Sequence, residues 1–312
     1  DAVGNLLSET VAAGTADVRE TRYEYNLDNQ LIAETDPLGQ RTEYTRDAMG
    51  NRIKVKDALG REAHYYFDGA NRLVAILDAE GYVNTFKYDA SGNRTEARVF
   101  MQKYSGPVDD FTVPVVAASS GDRVVTTDYD NDDNIVRVVK ADGQHIEYVN
   151  DSTGTMRQRS MFSSSAADAP RVEHYGYDLN GRLSYFMDVD GSETRIAYDA
   201  ANNKTSETIT DLAYAAGDPN RTRVTRYEYD LDNRVTREVY DPNGLNISQA
   251  LQYDKVGNVI RKVDGNGTLT ASVYDLNNRL VEVNADPSGL AIRTRFQYDA
   301  VGNQTAMVDG RG

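Results

Sequence analysis

The amino-acid sequence predicts an all-β fold, a long antiparallel meander of repeated β-hairpins that forms a curved or spiral strip. Three observations lead to this prediction. A short Asp-rich turn recurs thirteen times with a basic spacing of 21 residues, and each repeat holds a second turn about ten residues further on. The stretches between the turns alternate aromatic with polar residues, as strands with one covered face do.

The first turn of each repeat is recognised by its closing residue, which is always Gly, Asn or Asp. These residue types accept a positive backbone φ more readily than others do. A spacing of 21 residues between closing residues is the commonest, and longer spacings indicate insertions. The predicted closing residues are Gly4, Asn29, Gly50, Asn71, Gly92, Asp133, Gly154, Gly181, Asn202, Asn233, Gly257, Asn278 and Gly302.

The second turn has the composition of a type I turn, in which Asp caps the first amide and Gly takes a left-handed fourth position. Two turns per repeat leave stretches of strand length, so we expect roughly 26 strands about 4.8 Å apart. A sheet of that extent twists and coils, which predicts a curved wall or part of a spiral shell. The predicted second turns are residues 36–39, 57–60, 78–81, 188–191, 241–244 and 286–289.

The residue that precedes each first turn, called position zero here, is usually Tyr. Aromatic residues also recur two residues earlier, and the residue between them is mostly polar or small. We therefore expect the aromatic rings to share one face of the sheet and to pack ring against ring between neighbouring repeats. Position zero holds Tyr25, Phe67, Tyr88, Tyr129, Tyr177, Tyr198, Tyr229, Tyr253, Tyr274 and Tyr298, with Arg46 and Asn150 as the two exceptions.

The repeat continues from residue 1 to residue 312 without a change of composition, which predicts one continuous repeat domain. Both ends interrupt a repeat, so we expect the chain to be a piece of a larger protein. Insertions near residues 95–128, 155–174 and 203–226 are predicted to be lengthened hairpins with exposed tips.

The composition limits the classes of partner. The net charge of −15 argues against a nucleic-acid groove and against a polybasic membrane surface, because phosphate groups attract Lys and Arg. The sequence contains neither a signal peptide nor an apolar run long enough for a membrane, and it has no Cys to form disulfides. We therefore expect neither nucleic-acid binding nor membrane insertion.

The motif Tyr-Asp-x-x-Gly/Asn identifies a family resemblance. Residues 88–94, 177–183 and 298–303 closely resemble the YD repeat, also called the RHS repeat, and the resemblance extends over essentially the whole chain. It implies a spiralling β-strip that closes into a hollow shell. In bacterial polymorphic toxins and insecticidal toxin complexes such a shell encloses a toxic C-terminal segment, and in animal teneurins a similar shell supports cell-surface adhesion.

Members of this family often carry a self-cleavage region marked by Asp-Pro-x-Gly-Leu. Residues 241–245 and 286–290 both match this sequence. Each lies at a predicted second turn and is followed by another repeat, and a turn uses the same residue types. We therefore interpret both segments as ordinary turns and expect no self-cleavage.

Three further patterns could form binding sites. His64 and His174 occupy the same repeat position and His145 stands alone; we favour exposed strand positions over a shared metal or joint titration. Residues 128–134 and 188–193 are rich in oxygen ligands and raise calcium binding as an alternative, but residues 188–193 lack the third ligand spacing and the terminal Glu of a full calcium loop, and Asp-capped turns explain both segments. The 21 Tyr residues could bind sugars, although their periodic placement favours a structural ladder.

These observations predict a non-enzymatic scaffold with no catalytic, cofactor-binding or metal-binding residues. It would form part of the shell wall of a large secreted or surface-delivered bacterial protein and enclose a toxin or effector segment of its own polypeptide. The alternative is an adhesion module that binds a cell-surface glycan or protein through the outer sheet face or the long insertions.

Overall fold

A computed structural model describes residues 1–11, 18–218, 221–241 and 244–310. These residues contain 25 β-strands and no helix, so the predicted all-β class is confirmed. Within the described ranges no helix is long and apolar enough to cross a membrane. The chain divides into two compact units, unit 1 with Asp1–Met156 and Ser160–Pro170, and unit 2 with Arg157–Arg159 and Arg171–Gly312.

Unit 1 is an antiparallel meander in which each strand pairs with the next along the chain. Its strands are β1 (Ser8–Val11), β2 (Arg19–Tyr25), β3 (Leu31–Thr35), β4 (Arg41–Arg46), β5 (Arg52–Lys56), β6 (Glu62–Phe67), β7 (Leu73–Leu77), β8 (Tyr82–Tyr88), β9 (Arg94–Lys103), β10 (Arg123–Tyr129), β11 (Ile135–Val139) and β12 (His145–Asn150). Strand β13 (Met156–Phe162) contributes residues to both units.

Unit 2 repeats the same arrangement, again with antiparallel pairing between successive strands. Its strands are β14 (Arg171–Tyr177), β15 (Leu183–Met187), β16 (Glu193–Tyr198), β17 (Lys204–Thr210), β18 (Thr222–Tyr229), β19 (Val235–Tyr240), β20 (Ile247–Tyr253), β21 (Val259–Val263), β22 (Leu269–Tyr274), β23 (Leu280–Ala285), β24 (Ile292–Tyr298) and β25 (Gln304–Val308). The predicted meander of hairpins is therefore present in each unit.

The predicted first turns are confirmed at the level of the backbone. All thirteen predicted closing residues have a positive φ, from 60° at Asn29 and Asn233 to 101° at Gly257. The strand register also shifts at position zero, for example between Glu228 and Tyr229. A β-bulge of this kind increases the local twist of a strand pair. The repeated Gly, Asn and Asp residues are thus explained by a left-handed turn position.

The predicted left-handed Gly of the second turn is right at four of six places. Gly39, Gly60, Gly81 and Gly191 have a positive φ and close a turn of the expected kind. Turns of the same form at residues 140–143 and 264–267 were not predicted.

The two Asp-Pro-x-Gly-Leu segments are turns as predicted, because the Gly289 amide donates to the Asp286 carbonyl at 3.0 Å and the Gly244 amide to the Asp241 carbonyl at 3.1 Å. The expected left-handed Gly is wrong in both. Positive φ falls on Asp286 and Ala291 in one segment, and on Asp241 and Asn246 in the other, not on Gly289 or Gly244. The amide of Asp286 donates to the carbonyl of Leu269 on the preceding strand, 2.8 Å away, so strand pairing continues through it. The reversal then extends to Ala291, whose amide bonds to Asp286. Pro242 and Asn243 lie outside the described residues.

The two faces of the sheet differ in exposure, as the alternation predicts. In β18 the side chains of Tyr227 and Tyr229 are half-buried, whereas Arg226 and Glu228 between them are exposed. Only eight hydrophobic residues are buried in the described parts of the chain. The sheet is therefore a single layer over most of its area.

One insertion covers the sheet. The strap, residues 104–122 between β9 and β10, packs its residues Val113 and Val116 against a core of five buried residues. These are Tyr66, Ala75, Leu77, Val83 and Phe100. Residues 105–109 of this insertion are exposed as predicted, but Val113 and Val116 cover the face that carries polar residues in other repeats. In the second insertion, residues 163–170 are exposed as predicted.

Asp122 fastens the base of the strap. Its side chain is 1% exposed, and its carboxylate accepts hydrogen bonds from the Ser119 amide at 3.0 Å, the Met101 amide at 3.2 Å and Arg98 at 3.1 Å. The Ser119 amide is the main reason why the pKa of Asp122 falls to about 2. The folded protein therefore holds this carboxylate in its charged form.

We predict that Asp122 stabilises the strap in a pH-dependent way. A carboxylate whose pKa is lowered on folding stabilises the fold above its unfolded pKa of about 3.9, and this stabilisation is lost as the pH falls toward the folded pKa. Asp122→Asn should therefore be less stable than the parent at pH 7, with a difference that shrinks between about pH 4 and pH 2. Urea unfolding across this range measures it, and a difference that does not depend on pH would contradict the assignment.

Candidate functional site: a ladder of first turns

The first turns lie along one edge of each unit, and the side-chain oxygen of an Asp, or of Asn26 in one repeat, organises each of them. In the turn that Asp230 opens, Oδ1 accepts the amides of Asp232 and Arg234, both at 3.0 Å. The amide of the closing residue Asn233 donates to the carbonyl of Asp230 at 3.1 Å. Such bonds satisfy backbone groups that the reversal of the chain would otherwise leave unpaired.

The same pair of amide contacts recurs in twelve of the thirteen first turns. In the turn of Asp89, one of the two, from Asn93, is present. Asn26 replaces Asp in one repeat and its amide oxygen accepts the same two bonds. A side-chain oxygen at this position is thus the shared requirement of the turn.

The residue after each closing residue, called the linker residue here, connects one turn to the next. In the Asp230 turn the linker is Arg234, whose Nε donates to Asp230 Oδ2 at 2.7 Å. This hydrogen bond is the main cause of the lowered pKa of Asp230. The Arg234 Nη1 then donates to the carbonyl of Asp254, the first residue of the following turn, at 3.2 Å.

Arginine linkers make this bridge in four repeats. Each guanidinium reaches the carbonyl of the next turn Asp and lies over the position-zero Tyr ring of that next repeat, where a cation attracts the ring face. The bridges are Arg72 to Asp89 (3.1 Å), Arg182 to Asp199 (2.9 Å), Arg234 to Asp254 (3.2 Å) and Arg279 to Asp299 (3.1 Å). The guanidinium-to-ring distances lie between 4.5 Å and 5.0 Å.

The position-zero tyrosines bind the neighbouring repeat through their hydroxyl groups. In six repeats this hydroxyl donates to a backbone carbonyl at the start of the strand that follows the preceding first turn. The pairs are Tyr88 to Leu73, Tyr129 to Arg94, Tyr198 to Leu183, Tyr229 to Lys204, Tyr253 to Val235 and Tyr298 to Leu280, at 2.7 Å to 3.3 Å. The two sequence exceptions make the same bond, Arg46 to Leu31 at 3.0 Å and Asn150 to Ile135 at 3.1 Å.

The expected packing of ring against ring between repeats is wrong. Among the described residues the stacked or tilted ring pairs are His64 with Tyr66, His145 with Phe162, and Tyr175 with Phe186. None of them joins two position-zero tyrosines. Successive position-zero rings are separated by a second strand, and the guanidinium of the linker fills the space beside them. The tyrosines therefore form a structural ladder, but a ladder of hydroxyl-to-carbonyl bonds and cation–π contacts.

The three histidines have separate surroundings. The prediction that His64 is exposed is wrong, because it lies beneath the strap and is 6% exposed. Its Nδ1 contacts Asp110 Oδ1 at 3.2 Å. His174 is half-buried opposite Met187, and His145 stacks on Phe162 with 4.2 Å between the ring centroids. Sequence alone offers one signal for the cover over His64, because Tyr66, Ala75 and Leu77 place apolar residues on a face that is polar elsewhere.

The segments considered for calcium use their carboxylates inside turns. Asp130 Oδ1 accepts the amides of Asp132 at 3.0 Å and Asn134 at 2.9 Å. Asp188 Oδ1 accepts the amides of Asp190 and Ser192, both at 2.9 Å. Among the described residues, no group of three or more His, Asp or Glu side chains has the arrangement of a metal site.

Comparison with known proteins supports the fold and the repeat. The RHS Repeat family model matches residues 25–62, 67–99 and 274–312, which confirms that the chain contains RHS repeats. These segments include the first turns closed by Gly50, Gly92 and Asn278. A search of curated protein sequences finds no match.

Solved structures share the fold across nearly the whole chain. The crystal structure of TcdB2-TccC3-Cdc42 matches 97% of this chain at 17% identity with a TM-score of 0.57, and the chain covers 14% of the matched chain. The crystal structure of TcdB2-TccC3 matches 97% at 17% identity with a TM-score of 0.58, and the chain covers 15% of it. The chain therefore spans about a seventh of the length of these proteins.

We predict that the tyrosine hydroxyl at position zero stabilises the ladder. Tyr253→Phe removes the donor to the Val235 carbonyl, 2.7 Å away, and keeps the ring beneath Arg234. The free energy of unfolding should fall by about 1 kcal/mol, the usual net contribution of one hydrogen bond.

The matched control is Tyr274→Phe at the same repeat position. Tyr274 makes no hydrogen bond through its hydroxyl to the described part of the chain, so the change should alter stability by less than about 0.5 kcal/mol. Chemical denaturation measures both variants. Equal losses in the two would show that the carbonyl contact does not stabilise the repeat.

Proposed function

We propose that this chain is a wall segment of a hollow β-shell that encloses another segment of its own polypeptide. The proposed parent protein is a large secreted or surface-delivered bacterial protein, and the enclosed segment is a toxin or effector. The RHS repeats and the likeness in fold to the TcdB2-TccC3 structures support a structural shell role. The proposal extends that role to containment.

The observation that carries the proposal is the continuity of the ladder. Within each unit a strand pairs with both of its neighbours, so few backbone groups are left open along the strip. Along the edge of first turns, the linker residues add hydrogen bonds from one turn to the next. A sheet one layer thick that is fastened along its edge has the properties of a barrier.

The chemistry of the turns supports a non-enzymatic role. The first-turn aspartates are the most regular set of acidic residues in the chain, and their carboxylates already bind backbone amides of the same turn. Their pKa values are lowered rather than raised, for example at Asp230 and Asp275. A general acid at neutral pH needs a raised pKa, so these carboxylates are suited to holding the turns.

The strap favours adhesion as a second candidate function. Phe111 and Val115 project from it with 88% and 86% of their surface exposed, although its inner residues are packed on the sheet. Exposed apolar residues on a fixed support are typical of sites that bind a partner. A glycan or protein of a cell surface is the partner proposed for this candidate.

The containment proposal predicts that the enclosed segment resists proteases until the ladder is weakened. In the complete polypeptide that carries these repeats, Asp230→Ala with Asp275→Ala removes two turn carboxylates. We expect the enclosed segment to be digested several-fold faster in this variant than in the parent, because gaps open between repeats. Limited proteolysis followed by mass spectrometry identifies the cleaved peptides and their rates.

The matched control is Asp28→Ala with Asp132→Ala. These aspartates lie in first turns and are exposed, but within the described ranges their carboxylates accept no hydrogen bond and form no ion pair. The control therefore changes the net charge as much as the Asp230 and Asp275 variant does, without removing hydrogen bonds of the turns. Its digestion should match the parent. Rapid digestion of the flanking segments in the folded parent itself would contradict containment. Binding to a glycan array that is lost in Phe111→Ser with Val115→Ser would support adhesion instead.

A further inference from the structure

We infer that the linker residue of one repeat and the closing residue of the next form matched side-chain pairs, so that the edge of first turns contains a nearest-neighbour preference for the order of repeats. An Asn linker is matched with Asn or Asp in five steps, and the step from Asn134 to Gly154 is the exception. The inference concerns side-chain pairs between adjacent turns, and it does not depend on what the shell encloses. Three kinds of step between neighbouring turns support it.

In the first kind of step an Asn linker meets an Asn or Asp closing residue. The linker amide Nδ2 donates to its own turn and also to the side-chain oxygen of the next closing residue. The pairs are Asn5 to Asn29 (3.0 Å), Asn51 to Asn71, Asn93 to Asp133 (2.5 Å), Asn203 to Asn233 (2.8 Å) and Asn258 to Asn278 (3.2 Å). A left-handed residue that also supplies an acceptor has to be Asn or Asp, which explains why Gly does not stand at these five places.

In the second kind of step a linker side chain occupies the space beside a Gly closing residue. A Cβ at Gly50 would lie 2.5 Å from Gln30 Nε2, and a Cβ at Gly154 would lie 2.6 Å from Asn134 Oδ1. Gln30 is held there, because its Oε1 accepts a hydrogen bond from Asn26 at 3.1 Å. A closing residue with a side chain would displace the linker and break that bond.

In the third kind of step an Arg linker passes the closing residue and binds the backbone carbonyl of the next turn Asp. Three of the four Arg linkers, Arg72, Arg234 and Arg279, are followed by the closing residues Gly92, Gly257 and Gly302. Because the carbonyl is the acceptor, the closing residue needs no side chain. Arg182 serves both acceptors, since its Nη1 contacts the Asp199 carbonyl at 2.9 Å and Asn202 Oδ1 at 2.7 Å.

This preference distinguishes one repeat from another where the strands do not. The strand ladders of different repeats are nearly alike, so a hairpin that paired with the wrong neighbour would still form backbone hydrogen bonds. It would, however, leave a linker such as Asn203 without its acceptor on the next closing residue, or bring Gln30 against an Asn closing residue, with a steric conflict. The linker and closing residues therefore add specificity to a sheet in which many pairings are otherwise similar.

A double-mutant cycle on Asn203 and Asn233 tests the first kind of step, in which the linker donates a hydrogen bond to the next closing residue. Asn203→Ala removes the donor, Asn233→Gly removes the acceptor while keeping a residue that accepts a positive φ, and the double variant completes the cycle. We expect the two changes to be coupled by roughly three- to tenfold in the folding equilibrium constant of the chain, as for one net hydrogen bond. Coupling below about twofold would overturn the inference.

A second experiment tests the second kind of step, in which the linker side chain occupies the space beside a Gly closing residue. Gly39 is the matched control. Gly50→Asn meets the linker Gln30, whereas Gly39→Asn has a similar φ, 79° compared with 89°, and no atom within 4 Å of the added Cβ. We expect Gly50→Asn to lower the folding equilibrium constant at least threefold more than Gly39→Asn, about the effect of one lost hydrogen bond. Adding Gln30→Asn should restore stability, because it creates the Asn–Asn pair seen in four other steps. Equal losses at Gly50 and Gly39, or no rescue, would overturn the preference.

Discussion

The hydrogen bonds of the carboxylate that opens each first turn are the interaction on which the rest of the structure depends. This carboxylate accepts two amides of its own turn, and its second oxygen accepts the linker side chain in repeats such as those of Asp230 and Asp275. This bond holds the linker side chain in the position from which it contacts the next repeat. Because the pKa is lowered in ten of the first-turn aspartates, the ladder is stabilised above about pH 4 and weakens throughout the strip as they become protonated.

The hydrogen bonds between neighbouring first turns explain how a single layer of sheet can be stable without a deep core. Most domains bury one face of a sheet against a second layer, whereas in the described ranges the hydrophobic cluster under such a cover is the one beneath the strap, around Tyr66. Elsewhere the half-buried face is held by tyrosine hydroxyls on backbone carbonyls and by guanidinium groups over the rings. These contacts connect each repeat to the one before it, so stability is built from nearest-neighbour interactions, as in other repeat proteins.

Much of the fold follows from the sequence because the turns have strict chemical requirements. A left-handed position admits few residue types, and this made all thirteen closing residues predictable. The partners of the tyrosines were not predictable, since periodicity shows that rings share a face but not what lies beside them. The strap was missed because residues 104–122 contain no repeat, and the cover over His64 depends on long-range packing. The backbone conformation of the turn at Asp286 was misread because its composition is that of an ordinary turn, while its amide pairs with Leu269.

Native-state hydrogen exchange at the first turns tests the central claim most directly. The amides of Asp232 and Arg234 donate to the Asp230 carboxylate, whereas the amide of Leu231 between the Asp and these residues has no acceptor in the described structure. The account predicts that Asp232 and Arg234 exchange roughly tenfold or more slowly than Leu231 at neutral pH, and that the difference disappears in Asp230→Ala. Equal, fast exchange at all three amides in the parent protein would contradict it.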